Sequence, residues 1–269
     1  MYESFFHLTE PPFNVTPDPR FVYLSRHHQS ALSSMKYGVD RRVGFIQITG
    51  EIGAGKTTLS RMFLQQIGEN VHTSLVFNPK LSEIELLEVI VEDFGLKPTS
   101  KKRKACFDAL NRFLLEESSK GFNAVLIIDE AQLLPPKALE QIRLLSNLET
   151  ASQKLLQIIL MGQPELNDLL KRRDLRQLKQ RIAVRCHLPE LSLEEVGLYI
   201  RHRLKVAGAT DDIFSLEAIG RIHELSGGIP RVINILADRA LLAAFAAGAQ
   251  RIDAPMVECA EADLQGIAV

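Results

Sequence analysis

The feature that most narrows the fold is Gly50-Glu51-Ile52-Gly53-Ala54-Gly55-Lys56-Thr57, set between an apolar run and a helical pattern. Glycines at this spacing permit a tight loop whose N–H groups converge on phosphate oxygens, and the helix that follows adds its positive N-terminal end. A lysine here reaches β- and γ-phosphates, and the hydroxyl after it completes a magnesium shell. Residues 50–58 are therefore the candidate nucleotide-binding segment: Gly50, Glu51, Ile52, Gly53, Ala54, Gly55, Lys56, Thr57 and Thr58. ATP and Mg²⁺ are the expected ligands, with Thr57 as one metal ligand. No guanine-reading NKxD motif is present.

The loop needs a sheet behind it. Four runs, 43–49, 73–77, 124–129 and 155–162, are apolar and rich in branched residues, and a fifth at 182–188 alternates like an edge strand. Runs apolar on both faces suit parallel strands covered on each side by helices. Helical spacing over 56–67, 82–94, 103–118 and 136–149 fills the gaps, and Ser82-x-x-Glu85 reads as a capping box. The βαβα order implies a three-layer α/β domain with a parallel sheet. After Pro189 the pattern becomes helical throughout. Ser192-x-x-Glu195 opens one helix, Gly227-Gly228 closes another, Pro230 opens a third and Asp253 a fourth. The expected division is an arm and first helix over 1–42, an α/β nucleotide-binding core over 43–190 and a small helical lid over 191–269.

The run ending the third strand, AVLIIDE, supplies two carboxylates. Asp129 is the candidate magnesium ligand, and Glu130 the candidate general base for an attacking water. The bland alternative has Asp129 only capping the next helix. Gln163, at the end of LLQIILMG, is placed to touch a γ-phosphate or the water, or else is a loop glutamine before Pro164. Arg181 precedes the fifth strand and is the candidate cation donated to a neighbour's transition state; Arg176 and Arg185 compete for that role. Its alternative is a basic helix end answering the macrodipole. Arg231, at the start of a helix where a cation opposes the dipole, is the candidate γ-phosphate contact, with a plain surface arginine as the alternative.

Taken together GEIGAGKT, LIIDE, Gln163, Arg181 and GGIPR resemble an AAA+ ATPase, with Walker A, Walker B, sensor 1, arginine finger and sensor 2 in that order. The resemblance implies strand order 5-1-4-3-2, a helical lid, and nucleotide held at subunit interfaces of a homo-oligomeric ring or arc, with Arg181 supplied in trans. The opening stretch through the P-loop, and MGQPELNDLLKRRDLRQLKQRI, resemble the general secretion pathway protein A group (ExeA-like ATPases). Pro12, Phe13, Pro17, Asp18, Pro19 and Phe21 match that group's arm, which in this superfamily lies near the adenine base, so Phe13 to Tyr23 are expected to help hold it. Longer members continue into a transmembrane helix and a periplasmic peptidoglycan-binding domain, to which no residues of this sequence correspond.

That resemblance implies a cytoplasmic assembly or energy-coupling ATPase of a type II secretion, type IV pilus or exopolysaccharide system, partnered by an inner-membrane component. The competing reading is a DNA-associated AAA+ regulator of the TniB/TnsC or replication-initiator type. A formal net charge of −1 and the lack of a winged-helix module after the lid weigh against a dedicated DNA reader. KKRK at 101–104 reads as a solvated loop. Three scattered cysteines form neither a disulfide framework nor a zinc site and suit a reducing cytosol. The N-terminus lacks the basic start and apolar run of a signal peptide, so the sequence reads as soluble and intracellular.

Overall fold

The apolar runs become the strands of one parallel sheet. The computed structural model describes residues 1–14, 18–77 and 79–264. In chain order its elements begin α1 (Tyr2–Phe5), α2 (Arg26–Asp40), β1 (Phe45–Gly50), α3 (Lys56–Gln66), β2 (Val71–Val76), α4 (Glu83–Asp93) and α5 (Arg103–Ser119). They continue with β3 (Asn123–Ile128), α6 (Pro136–Leu145), β4 (Gln157–Gly162), α7 (Glu165–Leu169), α8 (Arg176–Arg181) and β5 (Ile182–Leu188). The remainder is helical: α9 (Leu193–Val206), α10 (Leu216–Ser226), α11 (Pro230–Ala247) and α12 (Ala254–Leu264).

The strand order is β2-β3-β4-β1-β5, as the resemblance implies, and every pairing is parallel. Strands β1, β3 and β4 are buried at all six positions, whereas β5, at the edge, alternates between covered and exposed residues. This is the burial that double coverage by helices produces. Leu126, Ile128, Ile158 and Leu160 point into a core shared with Leu86 and Ile90 of α4, Leu110 and Leu114 of α5, and Leu139 and Ile142 of α6. The opposite face receives α2, so closely that a Cβ on Gly38 would lie 2.5 Å from Cδ1 of Ile46.

Local signals set most helix ends. Ser82 and Ser192 both form complete capping boxes, each accepting from the N–H of Glu85 or Glu195 while that glutamate returns a bond to the cap. Such caps contribute about 1 kcal/mol each. Helix α6 stops at Leu145, four residues short of the periodicity. The Ser146 hydroxyl donates back to the Arg143 carbonyl at 2.7 Å, and the chain then turns so that Leu155 N–H bonds the Leu148 carbonyl. KKRK is only half a loop: Arg103 and Lys104 open α5.

Two compact units are present: residues 1–26, 51–58 and 189–269 form one, and residues 27–50 and 59–188 the other. In the first, the N-terminal arm is fastened to the lid helices. Phe13 is 2% exposed and meets Phe214 edge to face. The buried Arg203 donates to the carbonyls of Pro12 (2.6 Å) and Asn14 (2.9 Å) and lies over the Phe21 ring. A buried guanidinium is tolerable because these acceptors replace its water. The rings of Phe13 and Phe21 are thus committed to this core, Tyr23 remains half-buried against Tyr199, and Pro17 lies outside the described residues. Among the described residues no helix is long and apolar enough to cross a membrane.

Candidate nucleotide site

Strand β1 delivers the chain to Gly50, and α3 takes it up at Lys56. Between them Gly53 and Gly55 have φ of +84° and +95°, values that residues with a Cβ rarely adopt. The Ala54 N–H bonds the Glu51 carbonyl at 3.1 Å, curling the loop, and the Lys56 ammonium, only 5% exposed at its residue, donates to that same carbonyl at 2.9 Å. Thr57 and Thr58 follow, half-buried in the first turn. Ile52 instead turns its side chain outward.

The loop touches the start of α11. A Cβ placed on Gly53 would lie 2.7 Å from the Cβ of Arg231 and 3.1 Å from Cγ2 of Ile229. Two features bring that segment here. Gly227 ends α10 in the left-handed conformation, and the Gly228 carbonyl accepts the Leu191 N–H at 2.9 Å. Pro230 then starts the helix, leaving Arg231 exposed at its second position beside the phosphate-type loop. Sequence reasoning selected Arg231; it gave no sign that Ile229 borders Gly53.

The other group of candidates stands at the ends of β3 and β4. Asp129 is 3% exposed, and its Oδ1 accepts the Glu130 N–H at 2.9 Å. Glu130 has φ +53° and ψ +37°, a left-handed conformation unusual for a residue with a side chain, and it re-aims the chain directly after the strand. Its Oε2 accepts two amide bonds, from Gln132 Nε2 at 2.6 Å and from Gln163 Nε2 at 3.0 Å. The Gln163 N–H in turn donates to Gln132 Oε1 at 3.0 Å. So the structure joins Glu130 and Gln163 directly and adds Gln132, which sequence reasoning missed.

The three arginines near β5 differ. Arg181 is half-buried, and its Nη1 donates to Ser146 Oγ (2.7 Å) and Asn147 Oδ1 (2.6 Å) beyond the end of α6; neither acceptor carries a charge. Arg185 Nη2 donates to the Lys179 carbonyl at 2.7 Å. Arg176 is exposed and, among the described residues, has no side-chain hydrogen bond or ion pair.

Among the described residues no cluster of three or more His, Cys, Asp or Glu side chains could hold a metal by itself. A magnesium site does not require one, since this ion takes one or two carboxylates or hydroxyls and fills its octahedron with phosphate oxygens and water. The buried carboxylate of Asp129 and the hydroxyl of Thr57 are each, taken singly, donors of that kind.

A glycine loop between a strand and a helix, a parallel 2-3-4-1-5 sheet and a run of helices after it give this chain the P-loop fold of AAA+ proteins. The AAA domain family profile matches residues 39–170. Within that class the chain is similar to general secretion pathway protein A of Aeromonas hydrophila, 46% identical over 269 residues, which is 99% of this chain and 49% of that protein. The chain therefore spans about half the length of this relative. Solved structures agree on the fold. The Aeropyrum pernix ORC2 protein superposes with TM-score 0.66 at 18% identity, covering 93% of this chain and 71% of that one. Drosophila ORC, solved bound to DNA, gives 0.70 at 18%, covering 96% and 65%.

Proposed function

We propose that this chain binds and hydrolyses ATP with Mg²⁺ and acts as a cytoplasmic assembly or energy-coupling ATPase of an envelope system of the secretion, pilus or exopolysaccharide type. The observation that carries the reading is Glu130, a carboxylate at the end of β3 held by two amide donors, on a chain whose P-loop borders Arg231. Residues 50–58 cradle the triphosphate, with Lys56 against the β- and γ-phosphates. Thr57 and Asp129 would hold a magnesium ion, which when bound would neutralise phosphate charge. Glu130 takes a proton from water as its oxygen attacks the γ-phosphorus, and ADP departs. Gln163 and Arg231 bind the γ-phosphate oxygens, where charge builds in the transition state. The pathway half of the reading is supported by the likeness to general secretion pathway protein A.

The test uses Glu130→Gln to hold the ATP state in cells, followed by cross-linking and identification of what is captured. An inner-membrane secretion or pilus component, lost when Lys56 is also replaced, is the expected result. Steady-state hydrolysis that rises severalfold with added duplex DNA would overturn the envelope reading in favour of the DNA-associated one.

Arg181 is proposed to act on a neighbouring subunit's nucleotide in a homo-oligomeric ring or arc. Arginine fingers supplied this way are worth about a thousandfold or more in turnover. Arg181→Ala is therefore expected to lose most hydrolysis while ATP-dependent assembly, followed by light scattering, persists. Retained turnover in Arg181→Ala alongside its loss in Arg176→Ala would move the finger to the exposed residue.

A further inference from the structure

We infer that Gln132 is a positioning residue for water activation, tying the Glu130 carboxylate to the backbone at the end of β4. The inference rests on the reading of Glu130 as general base. It comes from the two-ended attachment of one side chain. At one end Gln132 Nε2 donates to Glu130 Oε2 at 2.6 Å, and at the other Gln132 Oε1 accepts the Gln163 N–H at 3.0 Å. The second bond is to main chain, so it stays whatever the Gln163 side chain does.

That distinction separates the two glutamines. Gln163 also donates its side-chain amide to Glu130 Oε2, at 3.0 Å, and the same amide is the group proposed to meet the γ-phosphate. An amide that turns to phosphate leaves the carboxylate. Gln132 then remains as the donor on Oε2, so that Oε1 keeps one direction toward the attacking water. Without it the carboxylate turns about its terminal torsion, a broad and weakly restrained rotation. Misplacement of a reacting group by about 1 Å is enough to cost roughly a hundredfold in rate.

Space around the amide has been kept for this arrangement. A Cβ on Gly162, the last residue of β4, would lie 2.7 Å from Gln132 Oε1. A larger residue at 162 presses on the Gln132 amide and also on the buried Leu166, whose Cδ2 would lie 3.0 Å from that Cβ, so Gly162→Ala is read together with thermal melting. Gln132 itself is half-buried in the short turn after Glu130, with no apolar packing role for its polar end.

The experiment compares the full chain with Gln132→Leu, Gln132→Glu and Gly162→Ala, using Glu130→Gln as reference. Phosphate release at saturating ATP gives kcat, and a fluorescent ATP analogue gives affinity. Gln132→Glu keeps the side-chain length and an acceptor for the Gln163 N–H but replaces the donor to Glu130 by a second carboxylate, which adds like-charge repulsion. Because it keeps the anchor, it guards against a mere folding defect in Gln132→Leu. All three are expected to lower kcat by about tenfold to a hundredfold with affinity within about twofold of the unaltered chain. Unchanged kcat in Gln132→Leu, or a rise in kcat, overturns the inference, as does a parallel loss of affinity and thermal stability in both Gln132 variants. If Glu130→Gln itself turns over normally, it is the general-base reading that fails. If that reference is inactive while Gln132→Leu is unaffected, the positioning role alone fails.

Discussion

Replacing Glu130 by glutamine is expected to lower ATP turnover by about a hundredfold to ten-thousandfold, the contribution of a well-placed general base, while nucleotide binding is preserved. The substitution changes shape hardly at all. Gln132 and Gln163 both point amide donors at Oε2, and a glutamine at 130 can turn its own carbonyl oxygen to accept them, so the local network survives. What disappears is the oxygen able to accept a proton from water. Asp129, whose carboxylate takes the 130 N–H, is untouched by the change. Phosphate release at saturating ATP, set beside titration with a fluorescent ATP analogue, separates the two effects. Turnover within tenfold of the unaltered chain would mean that another group activates the water.

Gly53→Ala is expected to act on binding. The loop backbone at 53 has φ +84°, a conformation that costs a residue with a Cβ about 1–2 kcal/mol. The added methyl would also sit 2.7 Å from the Cβ of Arg231, an atom whose position follows from the α11 backbone and cannot swing aside. Either the loop unwinds or the start of α11 withdraws. In the first case the N–H groups facing phosphate are lost, in the second the Arg231 contact. At 1.4 kcal/mol per tenfold, strain and collision together are expected to weaken ATP affinity by at least about tenfold. A fluorescent-analogue titration checks this, with thermal melting to show that the chain remains folded. Affinity within twofold would indicate that the loop takes up the methyl without moving.

Much of this was visible in the residue order, for a physical reason. Strands buried on both faces must be apolar at successive positions, so β1, β3 and β4 announce themselves, and capping boxes at Ser82 and Ser192 need only four consecutive residues. Strand ends were less legible. β2 begins at Val71 because Val71 pairs with Asn123 on the neighbouring strand, and β4 begins at Gln157, since the buried Leu155 and Leu156 belong to the turn before it. The strand order came from resemblance, since periodicity does not encode which strands are neighbours. In the candidate site the contiguous motifs were legible and the contacts were not. Gln132 looked like any glutamine in a turn, and only the fold brings the Gln163 N–H, thirty-one positions away, to its carbonyl. The same holds for Ile229 against Gly53 and for Ser146 and Asn147 around Arg181.

The left-handed backbone at Glu130 sets a local conformational cost against whatever its side chain contributes. Glycine would relax a conformation that costs a side-chain-bearing residue about 1 kcal/mol, yet glycine has no carboxylate to offer. Glycine would also forfeit the two amide bonds that Oε2 accepts, so on the proposed general-base role the carboxylate offsets its backbone strain twice, in hydrogen bonding and in turnover.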